Sequence, residues 1–256
     1  MTHELFDLTG RTALVTGGSK GLGKAIAGAF VQAGATVMIC SRHENELQST
    51  AAEIEQETGG SILWTVADMT DRDSVAGLAE TATARLERVD ILVNNAGSNT
   101  PQVIDEVQDE DWDRLVELNL TSCMALTRAL CPGMKTRGWG RVIHVSSIVG
   151  LSGAPARNVY AATKAGLIGM SRASALDLGR HGITVNCLAP GPFLTELPAQ
   201  VLTPEQRDRL AERTALGRWG DPQELVGPTL LLASDAGSYI TGAVLVVDGG
   251  ILSSLV

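Results

Sequence analysis

The sequence lacks the cysteine and histidine patterns that mark metal sites and disulfide frameworks. No two of its four cysteines form a C-x-x-C pair, and its four histidines show no ligand spacing with the cysteines or with one another. These residues are Cys40, Cys123, Cys131, Cys187, His3, His43, His144 and His181. We therefore expect no metal site and reduced thiols.

The sequence also has no excess of positive charge. It contains 20 Lys and Arg and 29 Asp and Glu, which gives a formal net charge of -9 at pH 7. A mostly negative field repels phosphate backbones and anionic lipids, so neither nucleic acid nor a membrane is an expected partner. No run reaches the roughly 18 apolar residues of a membrane span, and the opening M-T-H-E-L-F-D-L-T-G lacks the basic start of a signal peptide. These absences predict a soluble cytoplasmic protein.

Repeats, low-complexity tracts and Pro/Gly/Ser-rich linkers are absent from the 256 residues. A chain of this length with 44% hydrophobic residues can bury a large core, and we expect one domain over residues 1–256. Short runs rich in Val, Ile and Leu alternate with amphipathic stretches. The predicted strands are Thr12–Thr16, Thr36–Cys40, Ile62–Val66, Ile91–Val93, Arg141–Val145, Thr184–Leu188 and Ala243–Val247. The predicted helices are Lys24–Ala33, Glu44–Glu57, Ser74–Glu87, Asp109–Lys135 and Tyr160–Arg180.

This alternation predicts right-handed β-α-β units, and hence an α/β fold with a Rossmann-like, doubly wound parallel sheet of about seven strands and helices on both faces. Strands buried on both sides should be apolar throughout, as A-L-V and V-L-V-V are. The working loops should lie at the carboxyl ends of the strands. A long segment with several prolines, about residues 190–222, interrupts the pattern. We interpret it as a substrate loop or lid, with a surface insertion as the alternative.

A glycine cluster separates the first predicted strand from the first helix, in A-L-V-T-G-G-S-K-G-L-G. Such a turn uses backbone angles closed to other residues and lets main-chain N–H groups approach a pyrophosphate, aided by the start of a helix near Gly21. The pattern is neither a P-loop nor a plain G-x-G-x-x-G, and a purely structural turn is the alternative. The candidate cofactor residues here are Gly17, Ser19, Lys20, Gly21, Leu22 and Gly23.

The second predicted strand leads into Ser41 and Arg42, where an NAD-binding fold places an acid. A guanidinium and a hydroxyl suit a 2′-phosphate better than a ribose diol. Lys20 in the glycine turn adds a second positive charge to the same pocket. We therefore predict NADP(H) as the cofactor, with NAD(H) as the less favoured choice. The alternative is that Arg42 is a solvated residue at the start of a helix.

Seven motifs occur in an order that resembles the short-chain dehydrogenase/reductase family, in its compact single-domain branch. They are T-G-G-S-K-G-L-G at 16–23, A-D-M at 67–69, N-N-A-G at 94–97, L-N-L at 118–120, S-S at 146–147, Y-A-A-T-K at 160–164 and A-P-G-P-F-L-T at 189–195. The resemblance extends from about Leu8 to Gly250. It implies a single doubly wound sheet, which agrees with the fold predicted from the alternation of elements.

The resemblance also implies further cofactor contacts. Asp68 and Met69 would border the adenine, Asn95, Ala96 and Gly97 would line the ribose, and a later group would hold the nicotinamide carboxamide. That later group is Pro190, Gly191, Phe193 and Thr195. Plainer alternatives are that Asn94 satisfies strand-end donors, that Asp68 caps the following helix and that P-G is only a turn.

Tyr160 and Lys164 are four residues apart on a predicted helix, so their side chains share one face. Phenols carry protons poorly near neutral pH, but a neighbouring ammonium and an oxidised nicotinamide favour the phenolate, which permits general acid and base catalysis. Ser147, at the end of the fifth strand, should meet Tyr160 and donate to a substrate carbonyl. An aromatic body beside a snorkelling lysine is the alternative.

In the family that the sequence resembles, the lysine also bonds the nicotinamide ribose and relays protons through a water near an asparagine, here Asn119. The resemblance thus implies an NADP-dependent oxidoreductase that transfers a hydride between NADP(H) and a carbonyl or secondary alcohol. Its catalytic residues would be Asn119, Ser147, Tyr160 and Lys164, of which Tyr160 and Lys164 also contact the cofactor. A non-catalytic NADP-binding regulator and a structural oligomer with a vestigial site are the alternatives.

The expected substrate pocket is walled by Ser98–Val103, Ile148–Asn158 and the segment after Pro190, with polar residues Asn99, Gln102, Arg157 and Asn158 and no aromatic cluster. This favours a polar, small-molecule substrate such as a sugar acid, polyol or 3-oxoacyl thioester. Within the family the pattern is similar to gluconate 5-dehydrogenases and 3-oxoacyl-carrier-protein reductases. An acyl-carrier partner would need a basic patch, for which Arg137, Arg141 and Arg180 are candidates. The resemblance implies a homotetramer, with a dimer next, and the apolar C-terminal stretch would suit a contact between subunits.

Overall fold

A computed structural model describes residues 2–195 and 202–253. Its centre is one sheet of seven parallel strands in the order β3-β2-β1-β4-β5-β6-β7. The strands are β1 (Thr12–Thr16), β2 (Thr36–Ser41), β3 (Ile62–Val66), β4 (Ile91–Asn94), β5 (Gly140–Val145), β6 (Ile183–Pro190) and β7 (Val244–Val247). The prediction of a doubly wound parallel sheet is confirmed.

Helices cover both faces of the sheet. They are α1 (Thr2–Leu5), α2 (Gly21–Gln32), α3 (Glu44–Thr58), α4 (Arg72–Arg85), α5 (Asp109–Val116), α6 (Ser122–Arg137), α7 (Val149–Ser152), α8 (Asn158–Leu178), α9 (Pro204–Glu212) and α10 (Val226–Ala233). A large apolar core joins α2, α3 and α10 to one face of the sheet, another joins α4, α6 and α8 to the opposite face, and a small cluster lies between α6, α8 and β6. No helix in the described ranges is long and apolar enough to cross a bilayer.

Burial differs between the centre and the edges of the sheet. Every residue of β1, β4, β5 and β6 is buried, which matches the apolar run A-L-V. The expectation for V-L-V-V is wrong, because β7 is an edge strand that is only half-buried, with Val246 39% exposed. An edge strand pairs on one side only, so an apolar sequence does not guarantee burial.

The strand order places a crevice at the carboxyl ends of β1 and β4. The chain moves outward from β1 to β3 on one side, then returns to β4 on the other side of β1. In doubly wound sheets, such a switch point is where ligands bind, because the loops after the two strands diverge. The loops after β5 and β6 reach the same edge since all pairs are parallel.

Two predicted segments differ in detail from the structure. The predicted helix Asp109–Lys135 is interrupted by a π-helical turn at Glu117–Thr121, between α5 and α6. The long segment at 190–222 contains α9, which begins with a capping box between Thr203 and Gln206. Residues 196–201 of that segment lie outside the described residues.

Candidate active site

A cleft of about 490 Å³ lies at the carboxyl edge of the sheet. Its wall contains Ser147, Tyr160, Lys164 and all the predicted cofactor residues except Gly23. Those cofactor residues are Gly17, Ser19, Lys20, Gly21, Leu22, Ser41, Arg42, Asp68, Met69, Asn95, Ala96, Gly97, Pro190, Gly191, Phe193 and Thr195. Residues that are up to 178 positions apart in sequence, from Gly17 to Thr195, thus face one space.

The glycine turn after β1 has the backbone shape that its sequence predicts. Gly17 and Gly21 have φ angles of +63° and +55°, which favour glycine. A Cβ on Gly17 would lie 2.9 Å from the Cα of Ala96, and one on Gly23 would lie 2.2 Å from the carbonyl oxygen of Gly17. Gly23 therefore lies behind the turn and permits close packing. The turn leads directly into the N-terminus of α2, so main-chain N–H groups that can bind an anion lie at the cleft.

Asn95 holds the glycine turn in place from the end of β4. Its Nδ2 donates to the carbonyl oxygens of Thr16 (2.8 Å) and Gly17 (3.1 Å). The hydroxyl of Thr16 in turn accepts from the main-chain N–H groups of Asn95 and Ala96, both at 3.0 Å. These bonds join the ends of β1 and β4, and they occupy the Asn95 amide on the protein side of the cleft.

One end of the cleft carries two cations. Lys20 and Arg42 line it together with Ser19 and Ser41. The carboxylate of Glu46, from the first turn of α3, accepts from Ser19 Oγ at 3.0 Å and from Lys20 Nζ at 3.1 Å. The sequence analysis missed Glu46, because an acidic residue in the first turn of a helix is ordinarily explained by the helix dipole.

Asp68 does not cap the following helix, so the alternative interpretation of this residue is wrong. Asp71 caps α4 by accepting from the N–H of Asp73. The Asp68 carboxylate accepts instead from the N–H and hydroxyl of Thr70, at 2.9 and 2.8 Å. Partial burial opposes its ionisation, but these bonds and the charge of Arg42 outweigh burial and lower the pKa of Asp68.

Tyr160 and Lys164 lie on the face of α8 that turns toward β5. Lys164 is only 4% exposed, and its Nζ donates to the carbonyl oxygen of Val145 at 2.8 Å. The same Nζ lies 5.5 Å from the centre of the Tyr160 ring. A snorkelling lysine would reach water, whereas this ammonium is fixed inside the cleft beside a phenol.

Ser147 and Asn119 reach this centre from other elements. Ser147 follows β5, and its Oγ accepts from the N–H of Val149 at 3.2 Å. Asn119 is completely buried in the π-helical turn and does not line the cleft. Its amide donates to the carbonyl oxygen of Ser98 at 2.9 Å and to Thr163 Oγ1 at 3.2 Å, and its Oδ1 accepts from the N–H of Ser98.

Gly97 fills the space between Asn119 and Lys164. A Cβ at this position would lie 3.1 Å from Asn119 Oδ1 and 3.3 Å from Lys164 Nζ. A side chain here would therefore push on two of the four predicted catalytic residues at once. The glycine of N-N-A-G thus lets the loop after β4 lie against the ammonium group.

The segment after β6 closes the other end of the cleft. A Cβ on Gly191 would lie 2.7 Å from the Cα of Asp248, so this turn packs tightly against the loop after β7. Phe193 is buried and packs against Gly220. The side chain of Thr195 lies over Gly21, 3.2 Å from where that glycine's Cβ would be. The segment therefore reaches across to the glycine turn.

The polar residues predicted for the substrate wall do not line the cleft. They are Asn99, Gln102, Arg157 and Asn158. Gln102 and Arg157 pair through a β-bridge, and Asn158 Nδ2 donates to the carbonyl oxygen of Gln102 at 3.1 Å. Within the described residues, Asn99 Oδ1, Gln102 Oε1 and Arg157 Nη1 are buried without a hydrogen-bond partner. Burial lowers the pKa of Arg157, and the nearby Tyr160 partly offsets this effect. These atoms are closed off from the cleft in this structure.

The three arginines suggested as a docking patch do not form one at the cleft. Arg141 is 3% exposed at the start of β5, between the Trp139 ring and Asp235. Arg137 pairs with Asp90 at 3.3 Å. Arg180 follows α8 just before β6 begins. All three lie at the amino edge of the sheet, opposite the cleft.

In the described ranges, no three His, Cys, Asp or Glu side chains gather as a metal site.

The chain is similar to known proteins in both sequence and structure. A family model described as enoyl-(acyl carrier protein) reductase matches residues 17–252. Gluconate 5-dehydrogenase of Gluconobacter oxydans (strain 621H) is 37% identical over 257 residues, which cover 100% of both chains. A 3-oxoacyl-[acyl-carrier-protein] reductase of Chlamydia trachomatis serovar D is 38% identical, covering 95% of this chain and 98% of the relative.

Among solved structures, a gluconate 5-dehydrogenase from Burkholderia cenocepacia J2315 in complex with NADP and tartrate superposes with a TM-score of 0.93. It is 35% identical in sequence, and the match covers 100% of both chains. The fold, the residues that line the cleft and the matches to these relatives all indicate the same family. The chain belongs to the short-chain dehydrogenase/reductase family of oxidoreductases.

Proposed function

We propose that this protein is an NADP(H)-dependent oxidoreductase that interconverts a carbonyl group and a secondary alcohol, with Tyr160 as the acid and base. The observation that carries this conclusion is the pairing of Tyr160 with a buried, fixed ammonium on Lys164 inside the cleft. A protein that only sensed the cofactor would not need a phenol and a cation held together at this point.

The cleft fits a dinucleotide along its whole length. The glycine turn would hold the pyrophosphate, Asp68 and Met69 would border the adenine, and Ser41, Arg42 and Lys20 would bind the 2′-phosphate. The loop after β4 would line the ribose next to Lys164, and the segment after β6 would hold the nicotinamide. When bound, NADPH supplies a hydride to the carbonyl carbon, and NADP⁺ accepts one from the alcohol.

The residues of this chain handle the proton and the oxygen. The phenol of Tyr160 donates a proton to the carbonyl oxygen during reduction and takes one from the hydroxyl during oxidation. Ser147 Oγ donates to the same oxygen while negative charge develops there. The ammonium of Lys164 lies 5.5 Å from the centre of the Tyr160 ring, where its charge stabilises the negative charge that develops on the phenol during proton transfer. Asn119 positions Ser98 and Thr163 behind this centre and keeps the wall rigid.

The substrate that this wall suits best is a polar molecule of modest size, such as a sugar acid or polyol. Asn99, Gln102 and Arg157 carry polar atoms without a partner in the described residues, and once the loops that bury them open, these atoms would pair with the hydroxyl and carboxylate groups of such a substrate. The tartrate in the Burkholderia structure is a hydroxy acid of this kind. A 3-oxoacyl thioester is the second candidate, supported by the sequence identity to the Chlamydia reductase.

We also propose the oligomeric state, the cellular compartment and the extent of the catalytic domain. An exposed edge with Val246 and Leu252 at the end of the chain supports a homotetramer, because apolar edges favour pairing between subunits. The four free cysteines support a cytoplasmic site. Residues 1–256 would act as one catalytic domain, with the segment at about 190–222 as its substrate loop. A monomeric mass in light scattering would contradict the assembly.

The decisive experiment measures NADPH oxidation against a panel of keto sugar acids, ketoses and 3-oxoacyl thioesters, with Tyr160→Phe as the test variant. Tyr239→Phe is the matched control, because Tyr239 is the other tyrosine and is fully exposed. We expect a loss of kcat of about 10²–10⁴-fold in Tyr160→Phe only. Saturable NADPH binding without turnover on any carbonyl would contradict the proposed function.

A further inference from the structure

The basic end of the cleft contains an acid that the predicted 2′-phosphate pocket does not need. Glu46 accepts from Ser19 Oγ and from Lys20 Nζ, with one carboxylate oxygen for each donor. Ser19 is buried, while Lys20 and Glu46 are partly exposed. All three residues line the cleft beside Arg42. The carboxylate thus occupies Lys20, which is one of the donors proposed for the phosphate, and also the neighbouring hydroxyl of Ser19.

Glu46 is held in this place by the packing of α3 and not merely by a surface ion pair. One helical turn after Glu46, Thr50 Oγ1 donates to the carbonyl oxygen of Ser19 at 2.6 Å. Leu47 and Ala51, from the same stretch of α3, are buried in the core beneath. The helix therefore fixes the backbone of Glu46 against the glycine turn. A 2′-phosphate that enters the pocket therefore meets a carboxylate bonded to Ser19 and Lys20.

A carboxylate at this place affects the binding affinities of the two cofactors differently. A 2′-phosphate repels Glu46 and competes with it for Lys20, so the local charge is closer to +1 than to the +2 of Lys20 and Arg42. A ribose diol carries no charge and can donate a hydroxyl to the carboxylate. Glu46 thus weakens the binding of NADP(H), whereas the binding of NAD(H) is unchanged or strengthened.

We infer that Glu46 is a specificity-determining residue, which narrows the preference for NADP(H) over NAD(H) and lets the protein bind both dinucleotides. This inference rests on the proposed function, since it assumes that the basic end of the cleft receives the adenosine ribose.

The test is a titration of both reduced dinucleotides into the purified protein, with cofactor fluorescence giving Kd for each. Glu46→Gln removes the charge and keeps the oxygen that accepts from Ser19. We expect Kd for NADPH to fall about tenfold, as for one like-charge contact in a partly exposed site, while Kd for NADH rises or changes by less than about twofold. Melting temperatures without cofactor establish that the variant is folded.

Glu44→Gln is the matched control, because Glu44 lies in the same first turn of α3 but accepts from Gln48 and does not line the cleft. It should leave the ratio of the two Kd values unchanged. An unchanged ratio in a folded Glu46→Gln variant, or weaker NADPH binding, would overturn the inference and leave the proposed function intact. Failure of the unaltered protein to bind NADPH would overturn both.

Discussion

The ammonium group of Lys164 donates a 2.8 Å hydrogen bond to the main-chain carbonyl oxygen of Val145, the last residue of β5. This bond joins α8 to the sheet directly below the cleft. It fixes a charge that the interior would otherwise disfavour, since Lys164 is almost completely buried. The proposed reaction centre therefore depends on a contact between a side chain and the backbone of a neighbouring strand.

Removal of this charge should abolish activity without unfolding the protein. In Lys164→Met the aliphatic stem remains and a buried charge is lost, so we expect a melting temperature close to that of the unaltered protein. We expect kcat to fall about 10²–10⁴-fold, because the negative charge that develops on Tyr160 during proton transfer loses its nearby cation. Lys135→Met on the exposed end of α6 is the control. More than a tenth of the original kcat in Lys164→Met would contradict this role.

A methyl group added at Gly97 should damage catalysis more than stability. In Gly97→Ala the new Cβ would press on Asn119 Oδ1 and Lys164 Nζ, and small displacements of catalytic groups cost large factors in rate. We expect kcat to fall about tenfold or more. Gly77→Ala is the control, because Gly77 lies within α4 with nothing within 4 Å of the added Cβ. That substitution should raise stability by about 0.5–1 kcal/mol.

His144 should make the protein sensitive to acid. Burial lowers the pKa of His144 to about 3, and the charge of Lys164 adds to the effect. An unfolded chain binds this proton below pH 6.5 while the folded protein does not. Unfolding therefore becomes easier as the pH falls from about 6.5 toward 3, by about 1.4 kcal/mol per pH unit for this group.

The measurement is urea unfolding at a series of pH values for His144→Gln, which cannot titrate. We expect a flatter decline of the unfolding free energy between about pH 6.5 and 4 than in the unaltered protein. His181→Gln, at an exposed turn, is the control and should keep the original slope. Equal slopes for all three proteins would show that His144 is not the group responsible.

Arg157 should distinguish charged from neutral substrates. In Arg157→Met we expect KM to rise about tenfold for a keto sugar acid and to change little for a neutral ketose, because the guanidinium pairs with a carboxylate. Arg180→Met at the opposite edge of the sheet is the control. A similar rise in KM for both substrates would instead indicate a general change of the pocket.

The sequence predicted the sheet well because its signals are local. Each strand is a short apolar run between helical patterns, and Tyr160 and Lys164 share one helix. Glu46 gives no such signal, since it meets Lys20 across 26 residues of sequence. The π-helical turn around Asn119 and the half-burial of β7 were missed for the same reason: both depend on what packs against the segment and not on its own residues.

The π-helical turn at Glu117–Thr121 also bears on how the sequence of this region can vary in length. Such a turn holds an additional residue relative to a regular helix. Deleting one residue within the turn would therefore leave a regular helix, and Leu126, Leu130 and Met134 would keep the core positions that they share with α4 and the sheet. The loss would fall on the turn itself, where Asn119 bonds Ser98 and Thr163. An extra residue elsewhere in the helix has no such turn to absorb it and would rotate everything downstream by about 100°.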